Sequence, residues 1–244
     1  MGFYRGPNIV KTGLVLCLDA ASRRSYPTTG TTWYDLSGNG NHMTLNAAGT
    51  WVNSGSTSHM NFDSGIAKYL PGGTLTTIPG TTNGTGTICI YSTIKSVDVN
   101  WKTLVRGTPA DPDHQVIIST NDTVSLGMYD NDGAGFIDSG FDVTSFPNRF
   151  TQFNFMAWRL SNTSPYYEFF YNENLTSPQG TLTAPSSIFD SGFCCIGGYH
   201  NNSSVATDFD QNWGKISVFL YYNRILTTSE LQQNYNALKK RFGV

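Results

Sequence analysis

The feature that most constrains this chain is a series of short apolar segments separated by turn residues. Candidate strands recur every eight to fifteen residues, and Gly, Pro, Asn and Asp fill the gaps between them. Charged residues make up only 13% of the chain, which does not suit long exposed helices. The spacing predicts an all-β sandwich of two antiparallel sheets with about a dozen strands. The candidate strands are 14–18, 59–62, 87–94, 101–105, 115–120, 123–129, 153–160, 166–171, 192–197 and 214–223.

Turn residues predict how some of these strands are joined. Asn121-Asp122 is typical of a tight hairpin, and Asn172 to Asn174 predicts another after the aromatic run that ends at Tyr171. The Thr- and Gly-rich segment 75–87 is expected to be a surface loop, because it is too short to separate two domains.

One helix is predicted, at the end of the chain. Thr227 and Glu230 form a capping box, and Leu226 and Leu231 form the matching hydrophobic staple. Lys and Arg residues occupy the last turn, where the helix dipole favours cations, and Gly243 can end the helix. Four residues at helical spacing give it one apolar face, which we expect to cover part of a sheet: Leu231, Tyr235, Leu238 and Phe242.

The chain is expected to form a single domain over residues 1–244, because no shift in composition and no internal repeat divides it. Residues 1–13 would form an N-terminal arm, 14–226 the sandwich and 227–243 the helix. The arm is short and Gly-rich, and we expect it to contact a neighbouring subunit.

Charge and hydropathy exclude several classes of partner. The net charge is −2 with 15 Lys and Arg residues, so the basic footprint of a nucleic-acid-binding protein is missing. We expect no membrane association and no export signal, because the longest apolar run near the start ends at Asp19. The four cysteines lack C-x-x-C spacing, which favours buried free thiols: Cys17, Cys89, Cys194 and Cys195.

Carboxylates give little support for catalysis. Glycoside hydrolysis usually needs two carboxylates placed on either side of one bond. The chain has three glutamates, of which Glu230 is used by the helix cap and Glu173 lies in a predicted turn. No Glu-x-Asp-x-x-Glu string of the β-sandwich glucanases occurs. We therefore expect a protein that is not an enzyme and that requires no cofactor.

Calcium is the one ion that the sequence suggests. Asp35, Asn39 and Asn41 fall in a dense turn segment, where they are either calcium ligands or caps of the turn. The segment that begins at Asp130 resembles an EF-hand loop but lacks its bidentate Glu, so it predicts a Gly-rich hairpin. The segment 111–114 (Asp-Pro-Asp-His) is expected to be a solvated turn rather than a metal site.

Aromatic residues make up 14% of the chain, and most should pack in the core. Those in predicted loops or at strand ends could instead stack on sugar rings. Tyr129 beside Asp130, and Tyr199 beside His200, are the candidate ligand-binding residues.

Two stretches resemble a known family. The first is Gly13 to Ala20 (GLVLCLDA), followed by Trp33 to Asn41 (WYDLSGNGN); the second is Gly214 to Ile216 with Tyr222 to Leu226 (YNRIL) and Asn234 to Ala237 (NYNA). Together they are similar to the laminin-G-like branch of the concanavalin A-like lectin/glucanase superfamily. They resemble most the stand-alone copies among structural proteins of tailed, cyanophage-type bacteriophages.

This resemblance implies a concanavalin A-like jelly-roll β-sandwich with one short C-terminal α-helix. It implies a non-enzymatic virion protein, either a capsid decoration or a tail-fibre component, assembled in the host cytoplasm. Its partners would be other virion proteins, further copies of itself and a host-surface glycan. The alternative is a carbohydrate-binding lectin module of a secreted or cell-surface protein.

Overall fold

A computed structural model describes most of the chain. The described residues are 8–46, 51–62, 65–70, 78, 85–95, 101–107, 113–119, 124–131, 133–146, 148–183, 193–198 and 213–244. The predicted Asn121-Asp122 hairpin and nearly all of the 75–87 loop lie outside these residues.

Sixteen strands and one α-helix form the described part of the chain. The strands are β1 (Leu14–Asp19), β2 (Thr32–Trp33), β3 (Met43–Leu45), β4 (Trp51–Val52), β5 (His59–Asn61), β6 (Ala67–Lys68), β7 (Gly86–Ile94), β8 (Lys102–Arg106), β9 (His114–Ile118), β10 (Ser125–Asp130), β11 (Gly135–Asp142), β12 (Asn154–Leu160), β13 (Tyr167–Tyr171), β14 (Gly180–Leu182), β15 (Cys195–Ile196) and β16 (Gly214–Tyr222), and the helix is α1 (Thr228–Phe242).

These strands form two eight-stranded antiparallel sheets. Sheet A has the order β14-β13-β12-β7-β16-β5-β4, with β1 also paired to β16; sheet B has the order β11-β10-β9-β8-β15-β6-β3-β2. On one side of the sandwich β14 and β11 are the last strands of their sheets and contact each other. On the other side β4 and β2 are the last strands. The predicted all-β fold class with a C-terminal helix is therefore confirmed.

Each of the nine predicted strands after β1 overlaps a strand of the structure, although the predicted strand 192–197 contains only the two-residue β15. The longest, β7 and β16, carry runs of apolar residues. The connection after β13 begins with the expected tight turn. Asn172 has a positive φ of 46°, and Tyr171 and Asn174 form an antiparallel bridge across the turn, with Asn174 N–H donating to Tyr171 O at 3.1 Å. Strand β14 pairs with β13 only from Gly180 onward, so a longer loop follows this turn.

The main core lies between the two sheets. Side chains from both inner faces fill it, including Trp33, Phe62 and Phe219, all fully buried. Trp158 and Trp213 meet there edge to face, with their ring centroids 6.1 Å apart. Burial of this apolar area is the principal source of the stability of the fold.

Helix α1 begins and ends where the sequence predicts. Thr227 accepts from Glu230 N–H and Glu230 accepts from Thr227 N–H, which completes the capping box, and Gly243 ends the helix with a φ of 73°. Arg224 pairs with Glu230 at 2.5 Å and ties this cap to the strand before it. Among the described residues, no helix is both long and apolar enough to cross a membrane.

A second apolar cluster lies between α1 and the outer face of sheet A. Leu231, Tyr235 and Phe242 of the helix pack there against strand residues that include Tyr91 and Phe155. The Tyr91 and Phe242 rings stack with their centroids 4.3 Å apart. The helix therefore covers sheet A, as its apolar face predicts.

The described part of the N-terminal arm, residues 8–13, also lies on this side. Val10 N–H donates to Asn234 Oδ1 at 2.9 Å, and the Tyr222 hydroxyl donates to Val10 O at 3.1 Å. Gln233 donates to Asn8 O at 2.7 Å. This half of the arm is thus bound to its own helix and strand β16; residues 1–7, the rest of the expected subunit contact, lie outside the described residues.

Candidate functional site

The outer face of sheet B is the candidate functional surface. Helix α1 and residues 8–13 pack on the outer face of sheet A, and the described apolar cluster that they form there includes no residue from the strands of sheet B. Along β10, Leu126 and Met128 point into the main core. Because side chains alternate along a strand, Gly127 and Tyr129 point to the opposite, outer face.

A single row of facing residues crosses sheet B on this outer face. Residues directly opposite each other in paired antiparallel strands point to the same side. The register joins eight such positions, one on each strand, and we call them the cross-strand row: Thr32, Thr44, Lys68, Cys195, Arg106, His114, Tyr129 and Phe136.

The middle of the cross-strand row is polar and buried. Lys68, Arg106 and His114 are each less than a tenth exposed, and Cys195 lies between the two cations. Burial lowers the pKa of the Lys68 ammonium and raises the pKa of the Cys195 thiol well above its usual value. The Cys195 thiol is therefore protonated and uncharged at neutral pH.

One end of the row forms an aromatic corner, composed of Trp101, His114, Tyr129 and Phe136. The Trp101 ring meets Tyr129 at 5.4 Å and Phe136 at 5.2 Å between centroids, both edge to face. His114 meets Tyr129 at 5.9 Å, and its Nδ1 lies 2.8 Å from Thr103 Oγ1. Trp101 and Tyr129 are half-buried, so each ring is fixed by its neighbours and still reaches the surface.

The local sequence explains why the corner is so compact. Gly127 lies where a Cβ atom would come within 2.2 Å of Ile137 O and 2.9 Å of the Phe136 ring. Its missing side chain lets β11 and Phe136 lie close to β10. The turn after Tyr129 is held by Asp113, whose carboxylate accepts from Asn131 N–H at 2.7 Å.

The candidate calcium residues form a hydrogen-bonded turn. Asp35 Oδ1 accepts from Cys17 N–H and Ser37 N–H, and its Oδ2 accepts from Ser37 Oγ and Asn41 N–H. Asn39 Nδ2 donates to Leu14 O at 3.0 Å, and Asn41 Nδ2 to Val15 O at 2.9 Å.

These contacts agree with the alternative reading of this segment as a capped turn. All four donors to Asp35 are groups of the protein, and the amides of Asn39 and Asn41 point their NH₂ groups, which are donors only, at carbonyl groups of β1. Within the described ranges, no group of three His, Cys, Asp or Glu residues is placed to hold a metal ion.

Among the described residues, two clefts flank the sandwich. The first, which we call the edge cleft, has a volume of about 340 Å³ and lies between the β1–β2 connection and β4, with Arg23, Tyr26, Trp51 and Asn53 in its lining. The second, the hairpin cleft, has about 330 Å³ and lies between β11 and the loop after β13, where Glu173 is its one charged lining residue.

No protein-family model matches the chain, and no curated protein matches its sequence. Solved structures do resemble it in fold. The sialidase of Trypanosoma rangeli in complex with sialic acid aligns with a TM-score of 0.61 over 94% of this chain, at 14% identity. This chain spans about a third of the sialidase, 33% of its length. Domain 4 of an extracellular arabinanase from Geobacillus stearothermophilus, in complex with arabinotriose, aligns at 0.55 and 15% identity over 91% of this chain and 98% of that domain.

These likenesses agree with the two-sheet sandwich of the structure. The chain has a jelly-roll, lectin-like fold. At these identities the likeness extends to the fold alone, because one fold carries many unrelated activities.

The structure places the predicted site residues of the lectin-like sandwich in different regions. Tyr129 lies in the aromatic corner, whereas Tyr199 and His200 lie outside the described residues. The solvated turn expected for 111–114 is wrong for Asp113 and His114, which are buried at the start of β9.

Sequence reasoning missed Trp101, Phe136, His114 and Trp51. One signal for Phe136 was available: pairing outward from the Gly-rich turn after Asp130 places Phe136 opposite Tyr129. His114 meets Tyr129 across the consecutive strands β9 and β10, but a register shift between Gly127 and Tyr129 hides this pairing from the sequence. Trp101 and Trp51 contact rings from other segments of the chain, which no local pattern reveals.

Proposed function

We propose that this chain is a non-enzymatic, glycan-binding adhesion protein that uses the outer face of sheet B. The observation that carries the proposal is the aromatic corner, where Trp101 and Tyr129 are held edge to face and remain half-exposed. Aromatic rings with a fixed orientation and a polar tip provide apolar contact area for a sugar ring without a large entropy cost.

The fold supports this proposal. The sialidase was solved with sialic acid and the arabinanase domain with arabinotriose, so both similar structures carry sugars. Sugar binding requires only aromatic rings and hydrogen-bonding groups at the surface of the protein. Hydrolysis would also require two carboxylates directed at one bond, and Asp113 beside the corner is used to hold the turn.

Glycan arrays with three variants test the binding function. Tyr129→Ala should remove binding, and Tyr129→Phe should retain most of it because the ring remains. Tyr34→Ala is the matched control, because Tyr34 is 40% exposed on a different loop. Equal binding by wild type and Tyr129→Ala, or a flat array at high protein concentration, would refute the proposal. Release of sugar from sialosides, arabinan or β-glucans by the wild-type protein would refute its non-enzymatic part.

We also propose that the protein is a component of a tailed-bacteriophage particle, as a capsid decoration or in the tail fibre. The resemblance of both ends of the sequence to phage structural proteins motivates this setting. The thiols support it, because all four cysteines are free and buried. Cys17 and Cys89 both pair with Leu220, so two strand spacings, about 9.6 Å, separate them, which is too far for a disulfide.

Free thiols fit assembly in a reducing host cytoplasm better than secretion, the alternative setting. In the phage setting, the partners would be other virion proteins and further copies of this chain. Mass spectrometry of purified particles should detect the chain at a fixed ratio to the capsid protein. Its absence from washed particles, with recovery from the culture medium as a free protein, would favour the secreted lectin module.

A further inference from the structure

The edge cleft has the features of a second binding site, separate from the aromatic corner. It lies at the side of the sandwich where β4 and β2 end the two sheets, whereas the corner lies among β8 to β11 at the other side of sheet B. Its volume of about 340 Å³ falls at the lower end of the range for small-molecule sites, roughly 300–1,000 Å³. A cleft of this size accommodates one sugar unit rather than a long oligosaccharide.

The cleft contains a ring whose position is fixed. Trp51 Nε1 donates to Ala20 O at 2.8 Å, and the Trp51 ring lies 5.7 Å from the Tyr26 ring, tilted by 37°. The Tyr26 hydroxyl is itself bound to Gly30 O at 2.8 Å. Trp51 is nonetheless only half-buried, so it offers a pre-oriented apolar surface to a ligand.

The charge of the cleft is positive. Arg23 is exposed at its rim and is the one charged residue among the lining residues. Asp19, which precedes the lining residue Ala20, is engaged elsewhere: both its oxygens accept from Arg241 at 2.8 Å. No residue in the described ranges forms an ion pair with the Arg23 guanidinium.

We propose that the edge cleft binds a sugar unit that carries a carboxylate. The sugar ring would stack on Trp51, the carboxylate would pair with Arg23, and the Asn53 amide on the cleft wall would bind a hydroxyl group. This goes beyond glycan adhesion at the aromatic corner, because it assigns a different site and a charged class of ligand. The hairpin cleft differs in charge from the edge cleft, because its one charged lining residue is the acidic Glu173 rather than an arginine.

The five tryptophans allow the two sites to be observed separately. Trp33, Trp158 and Trp213 are fully buried, whereas Trp51 and Trp101 are half-buried, one at each site. Fluorine NMR of the full chain labelled with 5-fluorotryptophan should give one signal per tryptophan. The variants Trp51→Phe and Trp101→Phe assign the two reporter signals.

The probes are methyl glucuronoside and methyl glucoside, which differ only in a carboxylate, and inorganic phosphate. The glucuronoside should shift the Trp51 signal and bind at least about tenfold more tightly than the glucoside, as expected for one charge-assisted contact. Arg23→Gln should remove this preference. Arg24→Gln is the matched control, because Arg24 is exposed beside Arg23 but does not line the cleft, and it should retain the preference.

Each outcome decides the proposal. A shift of the Trp51 signal by both sugars with equal affinity would refute the requirement for a carboxylate. If phosphate shifted the Trp51 signal with the same affinity as the glucuronoside, the cleft would bind anions in general, and the proposal that it recognises a sugar ring would be refuted. If no probe shifted the Trp51 signal, the edge cleft would not be a binding site. A shift of the Trp101 signal in the same experiment would still support glycan binding at the aromatic corner.

Discussion

Replacing Asn234 with Leu should destabilise the protein more than its modest change in size suggests. Asn234 is fully buried where the helix, the N-terminal arm and sheet A meet. It accepts from Val10 N–H at 2.9 Å and donates to the Tyr222 hydroxyl at 3.1 Å and to Cys89 Sγ at 3.7 Å. One side chain thus joins three parts of the fold that are far apart in sequence.

The size of the effect follows from the groups that are left behind. Leucine at position 234 leaves Val10 N–H buried without its acceptor, which costs about 1–3 kcal/mol. The Tyr222 hydroxyl keeps its bond to Val10 O, so it adds less. Leucine regains part of the loss through its apolar area and higher helix propensity. We expect a net loss of about 2 kcal/mol.

Urea unfolding followed by circular dichroism measures this loss. With a slope of about 3 kcal/mol/M for a chain of this length, the midpoint should fall by about 0.7 M. Asn236→Leu is the matched control: it makes the same change two residues along the same helix at a half-buried position, and it should be neutral or slightly stabilising. If the two variants had the same midpoint, the argument that Asn234 joins the arm to the helix through hydrogen bonds would be wrong.

Two further predictions concern the turn before β3 and the helix cap. Both oxygens of Asp35 accept from protein donors, so we expect the melting temperature to be the same with a chelator and with millimolar calcium. If calcium raised the melting temperature of the wild type but not that of Asp35→Asn, Asp35 would be a calcium ligand and this prediction would be wrong. Hydrogen bonding from Arg224 lowers the pKa of Glu230 from 4.5 to about 2, so its contribution is complete above pH 4.5 and is lost as the pH falls toward 2. Glu230→Gln should therefore cost about 1 kcal/mol at pH 6. The gap in urea midpoint between this variant and wild type should narrow below pH 4.5 and close as the pH nears 2, and a gap independent of pH would contradict the assignment.

The fold was predictable where the physical signal is local. Strands such as β7 and β16 carry long apolar runs, and the cap at Thr227 depends on residues three apart, so one stretch of sequence contains the whole signal. The short strands β2, β4 and β6 have two residues each, too few to show any periodicity. Strand β11 was missed because it is a half-exposed edge strand with two glycines and two aspartates.

The candidate sites were less predictable, because they depend on register between distant strands. Tyr129 was identified from its place beside a turn, but its partner Trp101 precedes a strand two positions away in sheet B. The pairing of β10 with β9 also shifts between Gly127 and Tyr129, and no sequence period reveals such a shift. The edge cleft likewise joins Arg23 to Trp51 from segments that sequence reasoning did not connect.

The arrangement of the two outer faces is itself an argument for a ligand on sheet B. Sheet A has an apolar outer face, and the chain supplies a helix to cover it. On sheet B the chain instead places Lys68 and Arg106 in one buried row with His114 and the aromatic corner. Both cations have interaction partners, which offset the desolvation cost of burying them. The part of this face that stays open to a ligand is therefore the aromatic corner, where the fixed, half-buried rings of Trp101 and Tyr129 can bind with little reorganisation.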